Sequence, residues 1–300
     1  MNKALLSFAD KVLWRSLKRL SEQAEKIDYF DRVFLYDENS FSPEFRRTFR
    51  NKLSRNVRGF GYWCWKPELI YDTLLQLDWG DLLLYLDAGC HLNSRGRWRL
   101  EQYFSLLNES EIGMVGFQAE EPSYSNSPLE HDGRTLFDQP NYKWIKGDLF
   151  DHFGVRENKR FTHSQAIGAG IILVRKCEAS LSIVDEWRSI IRTNFSLLDD
   201  SPSISSNFEG FIEHRHDQAI FTLLCLKHDV PLLSAYEYWY PKKVANAVLE
   251  PDWDVLKNFP IHARRDKDVG KIVEFKTRFL RVAKLPFSLL RRSITAKCLR

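Results

Sequence analysis

Paired cysteines and long hydrophobic runs are both missing from this sequence. The five cysteines are odd in number and scattered, at Cys64, Cys90, Cys177, Cys225 and Cys298. Without a Cys-x-x-Cys pair they argue against a zinc site or a disulfide framework, and we expect a reducing, cytoplasmic location. No run of about 18 apolar residues indicates a membrane-spanning helix. Residues 1–10 hold only a short apolar run that Asp10 breaks, too short for a signal peptide.

Most of the chain also lacks excess positive charge, although the total is +4. Residues 271–300 contain nine Lys or Arg and one acid, Glu274, a charge of +8, which leaves −4 on residues 1–270. An acidic body argues against a nucleic-acid partner. In this tail, apolar residues at helical spacing alternate with basic ones, and Pro286 divides the pattern. We expect either a basic amphipathic contact with the inner face of the cytoplasmic membrane or a helix packed on the domain.

The order of the predicted elements indicates an α/β fold, and 300 residues with 44% apolar content can bury one sizeable core. Residues 4–9 and 31–36 read as strands around an amphipathic helix at 11–26. This β-α-β start predicts parallel strands with a right-handed crossover. Further strands are predicted at 81–86, 113–117, within 162–174 and at 230–235, and further helices at 43–53, 68–77, 98–107, 142–153, 177–193 and 218–227.

A single carboxylate ends the central predicted strand. Residues 82–86 are apolar, and Asp87 follows them directly, with Ala88 and Gly89 behind it. Ligands of open α/β sheets bind at the carboxyl ends of strands, and small residues let a ligand approach the backbone closely. The residues alone leave two interpretations of Asp87 open, a ligand-binding carboxylate or a turn cap.

Asp87 is also part of a family resemblance. Tyr85-Leu86-Asp87-Ala88-Gly89 resembles the strand-end Asp-x-Asp element of GT-A-fold glycosyltransferases, in a variant that lacks the second Asp. The block Gly-Tyr-Trp-Cys-Trp-Lys-Pro at 61–67 is similar to the preceding segment in bacterial GT-A enzymes that build surface polysaccharide. His216-Asp217-Gln218 and His262 also sit where that family would place them. The resemblance covers residues 4–265 and implies a GT-A-like, Rossmann-type fold, a mixed, mostly parallel sheet flanked by helices in a single domain over residues 1–270.

The resemblance also implies a nucleotide-sugar donor, most simply a UDP-sugar, and a glycan or lipid-linked acceptor. The donor's nucleotide is expected against Ser7, Phe8, Ala9, Asp87 and Gly89. Lys66, beside Pro67 at a helix start, is expected to face the diphosphate, because an ammonium and a helix N-terminus both favour an anion. A divalent cation, Mn²⁺ or Mg²⁺, would be held by Asp87 and His262, since hard cations take carboxylate oxygens.

Two segments, residues 162–174 and 216–218, are expected to contact the substrate on the acceptor side of this site. Asp217 is predicted as a catalytic residue, either a general base for the acceptor hydroxyl or a clamp that hydrogen-bonds the acceptor. A dipole-stabilising Asp in the first helical turn is the plainer interpretation. The other expected substrate contacts are Gln165, Gly168, Gly170, His216 and Gln218. The two glycines admit a close ligand or mark an ordinary β-bulge.

Two function classes therefore remain for the sequence. The first is a glycosyltransferase in which Asp87 and Asp217 are catalytic. The second is a non-catalytic nucleotide- or glycan-binding protein of the same fold, which the missing second Asp keeps open. A nucleotidyltransferase on a related fold would usually show a glycine-rich loop near the N-terminus, and Phe8-Ala9-Asp10-Lys11 is not one.

Overall fold

The structure, a computed structural model, describes residues 1–130, 138–243 and 249–267. The basic tail predicted at 271–300 lies outside the described residues. The strands of the described part are β1 (Lys3–Phe8), β2 (Arg32–Tyr36), β3 (Leu82–Leu86), β4 (His91–Leu92), β5 (Met114–Gln118), β6 (Ile167–Arg175), β7 (Leu232–Ser234), β8 (Pro241–Lys243), β9 (Leu249–Pro251) and β10 (Ile261–His262). The α-helices are α1 (Trp14–Ile27), α2 (Pro43–Phe49), α3 (Gly59–Tyr62), α4 (Trp65–Gln76), α5 (Arg97–Glu109), α6 (Gly147–His152), α7 (Lys159–Thr162), α8 (Glu178–Thr193) and α9 (His216–Lys227).

Six of these strands form the central sheet in the order β2-β1-β3-β6-β5-β7. Strand β1 is parallel to β2 and β3, β5 is parallel to β7, and β6 is antiparallel to both of its neighbours. Five strands therefore run in one direction and β6 runs against them, which confirms the predicted mixed, mostly parallel sheet flanked by helices. Because β6 is reversed, its first residues lie at the edge where the other five strands end.

Apolar cores cover both faces of the sheet and explain why its central strand is wholly apolar. In β3, Leu83 and Tyr85 face the core under α4, α8 and α9, while Leu82, Leu84 and Leu86 face the core under α1 and α5. All five side chains are buried. A strand covered on both faces has no solvent side, so its sequence reads as an unbroken apolar run. This rigid centre fixes where the next residue, Asp87, lies.

Several predicted boundaries shift, for reasons visible in the contacts. The helix predicted from residue 11 begins with a 3₁₀ turn, Lys11–Leu13, because the Asp10 carboxylate accepts from the backbone N–H groups of Val12 and Leu13. Asp10 is thus a helix cap. The helix predicted at 142–153 is reduced to α6, since Lys146 before it is extended and its ammonium donates to backbone carbonyls of residues 196, 199 and 201. No helix in the described part of the chain combines the length and apolar content needed to cross a bilayer.

Candidate functional site

The carboxyl edge of the sheet gathers the predicted residues from four separate elements. Asp87 follows β3, Gly168 and Gly170 lie in the first half of β6, and Asp217 lies in the first turn of α9. Lys66 is in the first turn of α4. Ligands of open α/β sheets bind at this edge, outside the carboxyl ends of the strands. The topology therefore places the predicted site residues where a ligand would bind.

An unusual stretch of backbone before α4 aims Lys66 into the protein. Five consecutive residues from Gly59 to Trp63 have positive φ angles, from 54° to 101°. Gly59 admits no side chain, because a Cβ there would lie 2.3 Å from the Trp63 ring. The Trp65 indole N–H donates to the Gly59 carbonyl at 3.1 Å and closes the loop. This compact turn starts α4 at Trp65, three residues earlier than predicted.

Lys66 joins two carboxylates, and we call Lys66, Asp87 and Asp217 the Lys66 triad. The Lys66 Nζ lies 2.6 Å from Asp217 Oδ2 and 3.3 Å from Asp87 Oδ1. It also donates to the Ala169 carbonyl at 2.9 Å, so its three N–H donors face protein acceptors. The side chains of Lys66 and Asp217 are 3% and 7% exposed, whereas that of Asp87 is 38% exposed. Asp87 is the member of the triad that a ligand can reach.

Burial and mutual charge set the protonation of the triad. Burial raises the pKa of the Asp217 carboxyl to about 6, the charge of Asp87 adds to the rise, and Lys66 opposes it. Burial disfavours the charged form of Lys66, but Asp217 and Asp87 outweigh it and raise the Lys66 pKa above its usual value. Lys66 therefore stays an ammonium ion at neutral pH, and its charge is offset within the triad.

Tyr85, Gly170 and Arg19 hold Asp87 in place. The Tyr85 hydroxyl donates to Asp87 Oδ1 at 2.6 Å, and burial together with the Asp87 charge raises the Tyr85 pKa, so the hydroxyl stays a donor. The Asp87 backbone N–H donates to the Gly170 carbonyl at 2.8 Å. The Arg19 guanidinium donates to the carbonyls of Ala88 and Cys90 and supports the following turn. Asp87 is preorganised by neighbours from three elements.

The residues predicted around the nucleotide lie at this edge but with buried side chains. The Ser7 hydroxyl donates to the Leu86 carbonyl at 2.8 Å, and Phe8 packs 4.1 Å from the Trp65 ring. Ala9 is buried, and its N–H donates to the Tyr36 carbonyl. A nucleotide contact by Ser7, Phe8 and Ala9 stays a prediction, and the buried side chains leave it to the backbone.

Of the residues predicted on the acceptor side, Gln165 and His216 already form hydrogen bonds within the protein, whereas the Gln218 side chain forms none with the described residues. The side-chain amide of Gln165 is engaged by Asp138 and by the backbone of Gln139. The buried His216 ring donates from Nδ1 to the Leu198 carbonyl at 2.9 Å, and burial lowers its pKa. Gln218 is half-buried, and its side chain makes no hydrogen bond with any residue that the structure describes. A Cβ at Gly168 would lie 2.5 Å from the Tyr238 hydroxyl, so glycine is required there for packing.

The donor set does not fit the predicted divalent cation. Asp87 Oδ1 already faces an ammonium and a hydroxyl. His262 is buried in β10, with Nε2 donating to the Leu256 carbonyl at 2.8 Å, and burial lowers its pKa. Within residues 1–130, 138–243 and 249–267, no three His, Cys, Asp or Glu side chains are grouped to hold a metal ion. Metal binding by Asp87 and His262 stays a prediction.

The Lys66 side chain is turned toward the protein interior. The sequence suggests an ammonium that faces the diphosphate, but the protein acceptors around Nζ leave no free N–H donor. A direct phosphate contact by Lys66 stays a prediction that this arrangement does not favour. Tyr85 was missed by the sequence reasoning. The signal was present, since Tyr85 and Asp87 are two residues apart and therefore on the same face of an extended chain.

Comparison with known proteins finds no related sequence, but it finds solved structures that are similar at low identity. No family model and no curated protein sequence matches the chain. Among solved structures, a glycosyltransferase involved in glycosylation of the major capsid of PBCV-1 is 11% identical, with a TM-score of 0.41 over 91% of this chain and 98% of that one. Mouse xyloside xylosyltransferase 1 is 10% identical, with a TM-score of 0.41 over 79% and 87%. The galactosyltransferase LgtC, with donor and acceptor sugar analogues, is 11% identical, with a TM-score of 0.40 over 95% and 98%.

Proposed function

We propose that this chain is a glycosyltransferase that moves a sugar from a nucleotide-diphosphate donor to a hydroxyl group of an acceptor. The observation that carries the proposal is the Lys66 triad, an accessible carboxylate backed by a buried ammonium and a second, buried carboxylate at the ligand-binding edge. The Asp-Ala-Gly resemblance at Asp87 supports the same reaction class. A UDP-sugar is the first candidate donor, and a surface glycan or lipid-linked sugar is the first candidate acceptor.

Asp87 is the residue that we assign to substrate contact. In the reaction, a bond forms between the sugar's anomeric carbon and the acceptor oxygen, while the bond from that carbon to the diphosphate oxygen breaks. The nucleoside diphosphate leaves with the bonding electron pair, and the acceptor proton passes to a general base, the role predicted for Asp217. Asp87 is exposed enough to orient a substrate hydroxyl, and Tyr85 and Lys66 fix its carboxylate from behind. Fixed polar groups of this kind need no reorganisation during the reaction.

Asp217 is assigned to positioning. Its carboxylate faces Lys66 rather than solvent, which favours a role in holding the ammonium against Asp87. The general-base role remains a prediction, and a pKa of about 6 would suit it near neutral pH.

A cytoplasmic location accords with the free thiols of Cys64, Cys90, Cys177 and Cys225.

A donor screen with a matched variant tests the proposal. The purified protein is incubated with UDP-, GDP- and CMP-sugars and a panel of sugar acceptors, and transfer and donor hydrolysis are measured by mass spectrometry. We expect turnover of at least one nucleotide-diphosphate sugar. Asp87→Asn keeps the side-chain shape and should lower turnover by at least about 100-fold without changing the thermal midpoint by more than a few degrees. Full activity of Asp87→Asn would contradict the assignment. Nucleotide binding with neither transfer nor hydrolysis would favour the non-catalytic binding protein.

A further inference from the structure

Residues 263–266 cross the carboxyl edge of the sheet beside Asp87. The Ala263 N–H donates to the Tyr238 carbonyl at 3.0 Å, and the Asp266 N–H donates to the Gly89 carbonyl at 3.2 Å. Arg265 lies between these anchors with a φ of 53°, a left-handed conformation that non-glycine residues rarely adopt. A Cβ at Gly89 would lie 3.2 Å from the Arg265 Cα. Gly89 therefore allows Arg265 to sit directly against the turn that follows Asp87.

Arg265 carries a positive charge without a counter-ion. Arg58 and Arg215 carry two more positive charges, which are only partly compensated. Its side chain is exposed and makes no hydrogen bond or ion pair with any residue in the described ranges. Arg58 and Arg215 share one carboxylate, that of Glu213, at 3.5 Å and 3.2 Å. Burial lowers the pKa of Arg215, and the charges of Arg265 and Arg58 lower it further, against the pull of Glu213. Three guanidinium groups and one carboxylate leave two positive charges uncompensated around Arg215.

The same cluster extends to the Lys66 triad through its neighbours. Burial raises the pKa of the Cys90 thiol and of the Tyr238 hydroxyl; the Asp87 charge adds to both rises, and the Arg265 charge opposes them. Arg265 lies on the Asp87 side of the edge, because its Cα is 3.2 Å from where a Cβ would stand at Gly89, two residues after Asp87. Arg264 differs, since its guanidinium lies over the Trp253 ring at 4.9 Å. Of these two consecutive arginines, Arg265 is the one whose guanidinium has no partner in the described ranges and whose backbone lies against the turn after Asp87.

We propose that Arg265, with Arg58 and Arg215, binds the diphosphate of the donor, and that this binding needs no divalent cation. This inference rests on the proposed function and replaces the metal that the sequence suggested. The diphosphate of a nucleotide sugar carries two negative charges, which match the two uncompensated guanidinium charges. A planar guanidinium also donates two parallel hydrogen bonds to phosphate oxygens. The Asp87 carboxylate, already paired with Lys66, then binds no metal ion and can contact a hydroxyl group of the sugar.

Calorimetric titration of the full chain with UDP, GDP and ADP, in EDTA and separately in Mn²⁺, tests this inference. We expect at least one nucleoside diphosphate to bind in EDTA, with an affinity within about threefold of that in Mn²⁺. Arg265→Gln should weaken this binding at least about tenfold, the loss of one charge-assisted hydrogen-bond pair. Arg264→Gln, the same change at the neighbouring residue, should stay within about twofold. The matching nucleoside, which has no phosphate, should bind Arg265→Gln and the unchanged protein equally.

Two results would overturn the inference. One is binding that disappears in EDTA and returns with Mn²⁺, and the other is an Arg265→Gln variant that binds as tightly as the unchanged protein. If metal-free binding depends on Arg265 but no nucleotide sugar is transferred or hydrolysed, the proposed function is wrong while the diphosphate site is retained. If none of the three diphosphates binds in either condition, both the inference and the proposed function are wrong.

Discussion

The Lys66 ammonium lies 2.6 Å from the Asp217 carboxylate, and both side chains are almost completely buried. Removing two opposite charges from water is costly, and their attraction offsets that cost only when the geometry is good and the other hydrogen-bonding positions are filled. Asp87 and the Ala169 carbonyl fill the remaining positions on Lys66. The pair therefore couples helix α4 to helix α9 directly behind the exposed carboxylate of Asp87.

Lys66→Met should destabilise the protein strongly, by about 3–5 kcal/mol, because Asp217 is left buried without its counter-ion. Urea unfolding measures the change. The double variant Lys66→Met/Asp217→Asn should recover part of the loss, since it removes the isolated charge as well. Lys18→Met is the control. Its ammonium forms an exposed pair with Glu22 at 3.8 Å and should cost at most about 1 kcal/mol. Equal losses for Lys66→Met and Lys18→Met would refute the coupling.

Asp217 should make the stability fall as the pH rises through weakly acidic values. Its pKa is about 6 in the folded protein against 3.8 as the ordinary value, so the folded state binds the proton more tightly. The contribution of Asp217 to the free energy of unfolding is complete below about pH 3.8 and is lost as the pH rises through about 6. This contribution amounts to about 1.4 kcal/mol for each unit by which the pKa is raised. Lys66, whose pKa is raised, keeps its contribution throughout this range and loses it only in strong alkali.

The measurement compares urea unfolding of the unchanged protein and Asp217→Asn between pH 4 and pH 7. We expect the free energy of unfolding of the unchanged protein to decrease with pH relative to the variant, because Asn does not titrate. Glu101→Gln, which removes an exposed carboxylate on α5, shows the change that follows from losing one surface charge. A difference between the unchanged protein and Asp217→Asn that stays level or grows with pH would rule out a raised Asp217 pKa.

Local signals in the sequence were sufficient to locate the six strands of the central sheet and the position of Asp87. An apolar strand that ends on a carboxylate is visible within seven residues, and β3 has the bounds this implies. The Lys66 triad was not visible, because its members come from different elements and Lys66 reaches a carbonyl 103 residues away. A lysine beside a proline at a helix start is usually exposed. Only the positive φ angles between Gly59 and Trp63 turn this one inward.

The predicted role of His262 shows a second limit of sequence reasoning. The pattern placed a histidine near the end of the domain, but the sequence could not show which ring nitrogen was available. In the structure, the Leu256 carbonyl, six residues earlier, engages Nε2. The guanidinium of Arg265, three residues later, has no partner in the described chain. Hydrogen bonding of the side chain therefore determines that Arg265, and not His262, is free to contact a ligand. The residues next to each of them in the sequence do not reveal that bonding.

Gly170 should be required for activity more than for stability. A Cβ at this position would lie 3.0 Å from Asp87 Oδ2, and the Gly170 carbonyl also accepts the Asp87 backbone N–H. Gly170→Ala therefore forces the Asp87 carboxylate to move by a few tenths of an ångström. That movement is comparable with the tolerance of about 0.5 Å within which a reacting group must be held, so we expect turnover to fall at least about tenfold. Turnover and urea unfolding are measured on the same preparation.

Gly116→Ala is the matched control, since it adds the same methyl group to the adjacent strand β5. A Cβ there would lie 3.1 Å from Leu232 Cδ2, the end of a flexible apolar side chain that can move away. Both variants should lose a similar, small free energy of unfolding, about 1 kcal/mol, while only Gly170→Ala loses activity. If the two variants keep equal activity, the Asp87 carboxylate tolerates displacement and is not the substrate-contacting group. If Gly170→Ala unfolds instead, the placement of the Asp87 carboxylate is tested with Tyr85→Phe, which removes the hydrogen bond to Asp87 Oδ1 without adding volume.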